Sequence, residues 1–187
     1  MNTYQETIKQ YKNSKNESLL DSFRCIHNQK NGYGESGDKN YVNRKHLILE
    51  LFKNYSVADK PLIKWLLKEE LKGYEFDIPA YTTDLCAFML YKHMQVADVY
   101  DLYSAKFGAG SDHQYSLDIE LVFGINVEET KAFLKNETSK IALNTEILEA
   151  IEWYISHPDA KFKSREAYIH FYETIKAKHI LADLENY

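Results

Sequence analysis

Apolar residues recur at intervals of three and four along nearly the whole chain, and strict alternation over the length of a strand is hardly seen. That pattern predicts helices throughout. Tyr4, Ile8 and Tyr11 share one face behind Thr3–Glu6, whose hydroxyl and carboxylate fit a capping box. A second helix is expected to carry Leu19, Leu20, Phe23 and Ile26, and a third Tyr41, Ile48, Leu51, Phe52 and Tyr55. Between them, residues 28–40 (NQKNGYGESGDKN) hold three glycines and little to bury, which predicts a flexible loop.

Asp59-Lys-Pro61 and Asp77-Ile-Pro79 each place an acid two residues before a proline, so each reads as the start of a helix whose first turn tolerates the missing amide. Two such starts suggest stacked hairpins. The helix after the second, over about 80–94, is apolar most of the way round and is expected at the centre. The stripe Val96, Val99, Tyr100, Tyr103 and Phe107 ends at Gly108, expected as a left-handed cap, and Ser111–Gln114 fits a capping box opening a short helix that closes at Gly124. Asn126, Asn144 and Ser164 are the expected caps of three further helices, the last with Tyr168, Phe171, Tyr172 and Ile175 on its buried face. About ten short helices predict an all-α domain, packed as an α-hairpin array or an irregular bundle. No tetratricopeptide, ankyrin or leucine-rich signature is present.

The bulk properties narrow this reading. A chain of 187 residues is expected to form one domain over 1–187, and 44% hydrophobic content supports a continuous core. Cys25 and Cys86 are too few and too far apart for a disulfide framework or a zinc site, so both read as reduced, inert thiols. No run is apolar enough for a signal peptide or a membrane span, from which a soluble, cytoplasmic protein with no membrane partner is expected. The net charge of −5 is unevenly spread: residues 1–72 carry +4, residues 73–160 carry −10, and residues 161–187 carry +1. The acidic middle repels phosphate backbones, excludes general nucleic-acid binding and favours a basic protein partner.

The stretch KFGAGSDHQYSLDIELVFG (106–124) resembles a phosphate loop in composition only. It lacks the Gly-Lys-Ser/Thr of a P-loop, and its acids would repel phosphate, so it reads as a junction between helices. The acids Asp98, Asp101, Asp112 and Asp118, with His113 among them, are the candidate binding residues, since hard cations take carboxylates converging from several elements. No calcium-loop or His-Glu-x-x-His pattern accompanies them, so no metal and no cofactor is expected. Leu117, Ile119, Leu121 and Val122 surround Asp118, which predicts a buried acid needing a donor from Lys106, a histidine, a tyrosine hydroxyl or a helix amide. Asp98 is expected on a wet surface. Glu166, His170 and Glu173 share one face of the last helix, opposite its aromatic face, and read as solvent-facing. No serine elbow or activated cysteine marks a catalytic residue.

The run YSAKFGAGSDHQYSLDIELVFGINVEETKAFL (103–134) resembles a family of uncharacterised soluble bacterial proteins through Ala105-Lys106, Asp112, Leu117-Asp118, the apolar run to Gly124, and Val127–Thr130 before Phe133-Leu134. It departs from that family at Tyr103, where a tryptophan is usual, and near Asn126, where a second glycine is. The resemblance implies an all-helical fold and no particular chemistry. Two functions are carried forward: a non-enzymatic module that binds a basic protein through its acidic middle, concretely an immunity-type inhibitor, and a small enzyme or ligand or metal sensor with a site near 98–118.

Overall fold

The computed structural model describes residues 3–29, 37–76 and 78–185, and among these it contains eleven α-helices and no strand. They are α1 (Thr3–Ser14), α2 (Tyr41–Phe52), α3 (Lys60–Gly73), α4 (Ala80–Lys92), α5 (Val99–Phe107), α6 (Ser111–Ser116), α7 (Glu120–Phe123), α8 (Val127–Asn136), α9 (Ile141–Ile155), α10 (Arg165–Phe171) and α11 (Ala177–Glu185). A π-helical turn, Tyr172–Lys176, joins the last two. The all-α expectation holds.

The reason α4 is central is visible in its sequence, AYTTDLCAFMLYK, which offers water almost no polar face. Every residue from Thr82 to Tyr91 is buried. Around it, side chains from α1, α2, α3, α5, α7, α10 and α11 complete the larger hydrophobic cluster. A smaller cluster of Val99, Ile119, Val122, Phe123, Leu134, Ile147 and Ile151 lies among α5, α7, α8 and α9.

Two of the long helices start the same way. Ser56-Val-Ala-Asp59 and Gln95-Val-Ala-Asp98 each form a 3-10 turn closed by a capping box, in which the first side chain accepts from the aspartate's backbone and the aspartate accepts from the first backbone N–H. Each aspartate also takes a lysine from an earlier helix: Lys12 of α1 lies 2.9 Å from Asp59, and Lys64 of α3 lies 2.8 Å from Asp98. The turn thus ties each new helix back to the chain before it. Pro61 sits in the first turn of α3 as expected. Asp77 lies outside the described residues, and α4 begins directly after Pro79.

Several local expectations are corrected. The second helix is a 3-10 helix, Glu17–Phe23, and Ile26 falls beyond it, 44% exposed, because its backbone N–H bonds Asp38 in an extended segment. Residues 30–36 of the expected flexible loop lie outside the described residues. Its described ends are held by bonds of 2.7 Å from Asn28 N–H to the Gly37 carbonyl and 2.8 Å from Lys39 N–H to the Ile26 carbonyl. Asp38 is buried there, 2.7 Å from the buried Arg44, which also meets Glu70 at 2.5 Å.

Gly108 is right-handed (φ −81°), so it is no left-handed cap; a Cβ there would meet the Ser104 carbonyl at 2.6 Å. The left-handed glycine is Gly124, φ +71°. Asn126 and Ser164 do cap their helices, accepting from Glu129 N–H at 2.8 Å and Ala167 N–H at 3.3 Å. Ser111 is not a cap but the first residue of α6, and Asn144 lies inside α9, accepting from the Tyr100 hydroxyl and donating to the Glu137 carbonyl, each at 2.7 Å.

Candidate functional site

The stretch 106–124 is a helix junction, running from the end of α5 through α6 and α7. It holds three of the five candidate residues, and the five do not converge on one point. Asp98 is buried, not on a wet surface: it accepts from Lys64 at 2.8 Å and Gln95 N–H at 2.7 Å, and pairs with Lys60. Burial alone would raise this carboxyl, and the bonds from Lys60, Lys64 and Gln95 outweigh it and hold the group below its usual range. Asp101 shares Lys64 at 2.7 Å. Asp112 is exposed at the start of α6. His113 is buried, its Nε2 3.2 Å from the Thr83 hydroxyl and its ring edge-on to Tyr74, and burial lowers its pKa so that it stays neutral at pH 7.

Asp118 keeps 35% of its side chain exposed, which corrects the expectation of a buried acid. Its donors are the Tyr168 hydroxyl at 3.0 Å and the Lys176 ammonium at 2.6 Å. Lys106 is engaged elsewhere, donating to the Gln114 and Leu117 carbonyls at 2.7 Å each. The buried acid of this region is Asp84, which meets Lys176 at 2.9 Å and the Tyr172 hydroxyl at 2.9 Å. Burial pushes Asp84 up to about 6 despite these donors. Lys176 would be lowered by burial, but Asp84 and Asp118 raise it. An aspartate in a helix apolar most of the way round was the available sequence signal for this network, because such a group must find a partner.

The structure therefore joins Asp98 with Asp101 through Lys64 and assigns Asp118 and His113 elsewhere. Among the described residues, no group of three or more His, Cys, Asp and Glu side chains is placed to hold a metal ion. The two thiols offer no nucleophile: burial pushes Cys25 up to about 12, and Cys86 rises for the same reason. Cys25 lies just outside the 3-10 helix rather than within a helix, and its N–H bonds Glu69.

A different surface stands out on α8 and α9. Over residues 127–155 six acids accompany three lysines. Asn144, Ile147 and Ile151 turn α9 inward, which leaves Glu146, Glu149 and Glu152 on its outer side together with Trp153. Trp153 is 58% exposed and rests edge-on against Tyr154 and His157. Lys131 pairs with Glu152 at 3.1 Å and Lys140 lies 3.9 Å over the Tyr100 ring, whereas neither Glu146 nor Glu149 has an ion-pair partner among the described residues. Burial, then Glu146 and Glu149, push the Tyr103 hydroxyl above the ordinary tyrosine range, so this acidic field reaches α5.

Comparison with family models, with curated proteins and with solved structures finds no match to this chain. Among the described residues no helix is long and apolar enough to cross a membrane.

Proposed function

We propose that this protein is a non-enzymatic helical interaction module that binds a basic protein through the outer face of α9, concretely as an immunity-type inhibitor of a basic toxin. The observation that supports this reading is Trp153, exposed on the same helix face as Glu146, Glu149 and Glu152. An exposed tryptophan is expensive to leave in water and is the residue most enriched where binding energy concentrates. Surrounding carboxylates steer a positively charged partner toward it, speeding encounter more than they tighten the final complex.

The test is capture from the native host with tagged parent and with Glu146→Lys/Glu149→Lys, each at low and high salt. The reading expects a basic protein held by the parent, less at high salt, and lost by the variant. Recovery of no basic protein at either salt, or equal recovery by the variant, would overturn it. The other reading, a small enzyme or ligand sensor near Asp98, Asp101, Asp112, His113 and Asp118, expects a divalent cation or metabolite to raise the melting temperature of the parent and not of Asp112→Asn.

A further inference from the structure

We infer that α6 is an acid-sensitive flap: protonation of His113 releases this short helix from α4 and from the end of α3. The device acts whatever partner the α9 face meets. The sequence of α6, SDHQYS, holds one buried residue, His113, 1% exposed, while Tyr115 on the same helix is 90% exposed. The still shorter α7 beside it buries Leu121, Val122 and Phe123. The side chain that fastens α6 is thus of the one type whose charge ordinarily changes between pH 5 and 8. The C-terminal end of α6 is held through its carbonyls: Lys106 of α5 donates to Gln114 and Leu117, and Lys176 of the π turn donates to Ser116, each at 2.7 Å. Acid favours the charged form of both ammoniums, so it leaves that end in place.

The setting of the ring suits the neutral imidazole. Its Nε2 lies 3.2 Å from the Thr83 hydroxyl of α4, it stands edge-on to Tyr74 with ring centres 5.6 Å apart, and its Nδ1 is buried without a hydrogen-bond partner among the described residues. A neutral imidazole has one N–H to place, and the threonine hydroxyl can accept it. An imidazolium has two, and the one on Nδ1 finds no acceptor. Tyr74 closes the site from the other side: its hydroxyl lies against the backbone of Gly110, the residue before α6, where any side chain would collide with it.

Among the described residues no carboxylate from another element meets the ring. Asp112, on α6 itself, is exposed. From α4 the ring faces Thr83, whose neighbour Asp84 is turned to Tyr172 and Lys176. The end of α3 presents the Tyr74 phenol, and α5 and the π turn present Lys106 and Lys176, both cationic. Burial therefore lowers His113 from the ordinary histidine value of 6.5, and Asp112 opposes this only in part. Released, the ring takes up a proton near pH 6.5; docked, it does so only at lower pH. Docking of α6 is fully favoured above 6.5, weakens as pH falls from there to the docked value, and levels off below it.

Hydrogen exchange of the full-length chain, followed amide by amide with NMR from pH 7.5 to pH 5 and corrected for the intrinsic rate, reads the flap directly. The amides of His113 and Gln114, which bond the Gly110 carbonyl, and of Leu117, which bonds the His113 carbonyl, should lose protection by up to about tenfold per pH unit below 6.5. Those of α4 and α9 should keep theirs. His113→Phe fills the same space with a ring that does not titrate, and its α6 protection should not change with pH. Constant protection of the parent down to pH 5, an equal loss in His113→Phe, or a loss that extends through α4 overturns the flap. The His113 Cε1 proton of the parent gives a second measurement that needs no substitution: its titration midpoint should fall where α6 protection is lost, and a ring that charges while Gln114 and Leu117 stay protected overturns the release.

Discussion

The ammonium of Lys176 lies 2.9 Å from the buried carboxylate of Asp84, and a π-helical turn brings it there. Tyr168 and Tyr172 point into the core one turn apart. A continuous α-helix would carry Ile175 onto that face next. The π turn spends one extra residue, so Ile175 emerges 48% exposed and Lys176 takes the inward position. The turn thereby supplies Asp84 with both its donors, Tyr172 and Lys176, while Lys176 also reaches Asp118.

Asp84 should give the fold a pH dependence of definite sign. The unfolded carboxyl titrates near 3.8 and the folded one at about 6. Between those values the native state keeps a proton that the unfolded chain has lost, so this group's contribution falls as pH rises from 4 to 6 and levels off above, by about 2 to 3 kcal/mol in all. Urea denaturation of the parent and Asp84→Asn across that range isolates the effect as the difference between them. A difference that does not change with pH would show that Asp84 titrates normally.

Asp98→Ala should cost about 1 to 3 kcal/mol, since it leaves Lys60, Lys64 and the Gln95 N–H without their acceptor. Asp118→Ala should cost about 1 kcal/mol or less, because the carboxylate is partly exposed and Lys176 keeps Asp84. The folded Asp98 carboxyl lies below its unfolded range, so its contribution is present above that range and is lost as pH falls through the folded value. Midpoints in urea at pH 7 and at pH 3 check both statements: the gap between parent and Asp98→Ala should narrow at the lower pH.

Gly124→Ala should destabilise by about 1 to 2 kcal/mol, the cost of a left-handed conformation for a residue with a Cβ. The added carbon would also meet the Thr130 hydroxyl oxygen at 2.5 Å, and that hydroxyl donates to the Phe123 carbonyl at 2.9 Å. Thermal unfolding of Gly124→Ala beside Gly108→Ala separates the causes, since the right-handed Gly108 clashes with backbone and carries no φ strain.

Trp153→Ala and Glu146→Lys/Glu149→Lys should fold as well as the parent, within about 0.5 kcal/mol, because these side chains lie outside the core. A larger loss of stability in either would mean that the α9 face supports the fold rather than a partner.

What the sequence by itself determined is whatever depends on neighbours within one or two turns. The three-and-four spacing predicted about ten short helices where eleven form among the described residues, the composition of AYTTDLCAFMLYK put α4 at the centre, and Asn126, Ser164 and Pro61 marked helix starts, because capping and periodicity are local. Which charges are buried was decided by tertiary structure alone. Asp98 looked like a surface acid until α3 brought Lys60 and Lys64 to it, and Asp118 looked buried until Tyr168 and Lys176, more than forty residues away, met it at the edge of the core. The π turn that aims Lys176 at Asp84 and the docking of His113 against Thr83 and Tyr74 arise the same way, from segments distant in sequence. Burial of a charge is a property of the assembled surroundings, and no local pattern carries it.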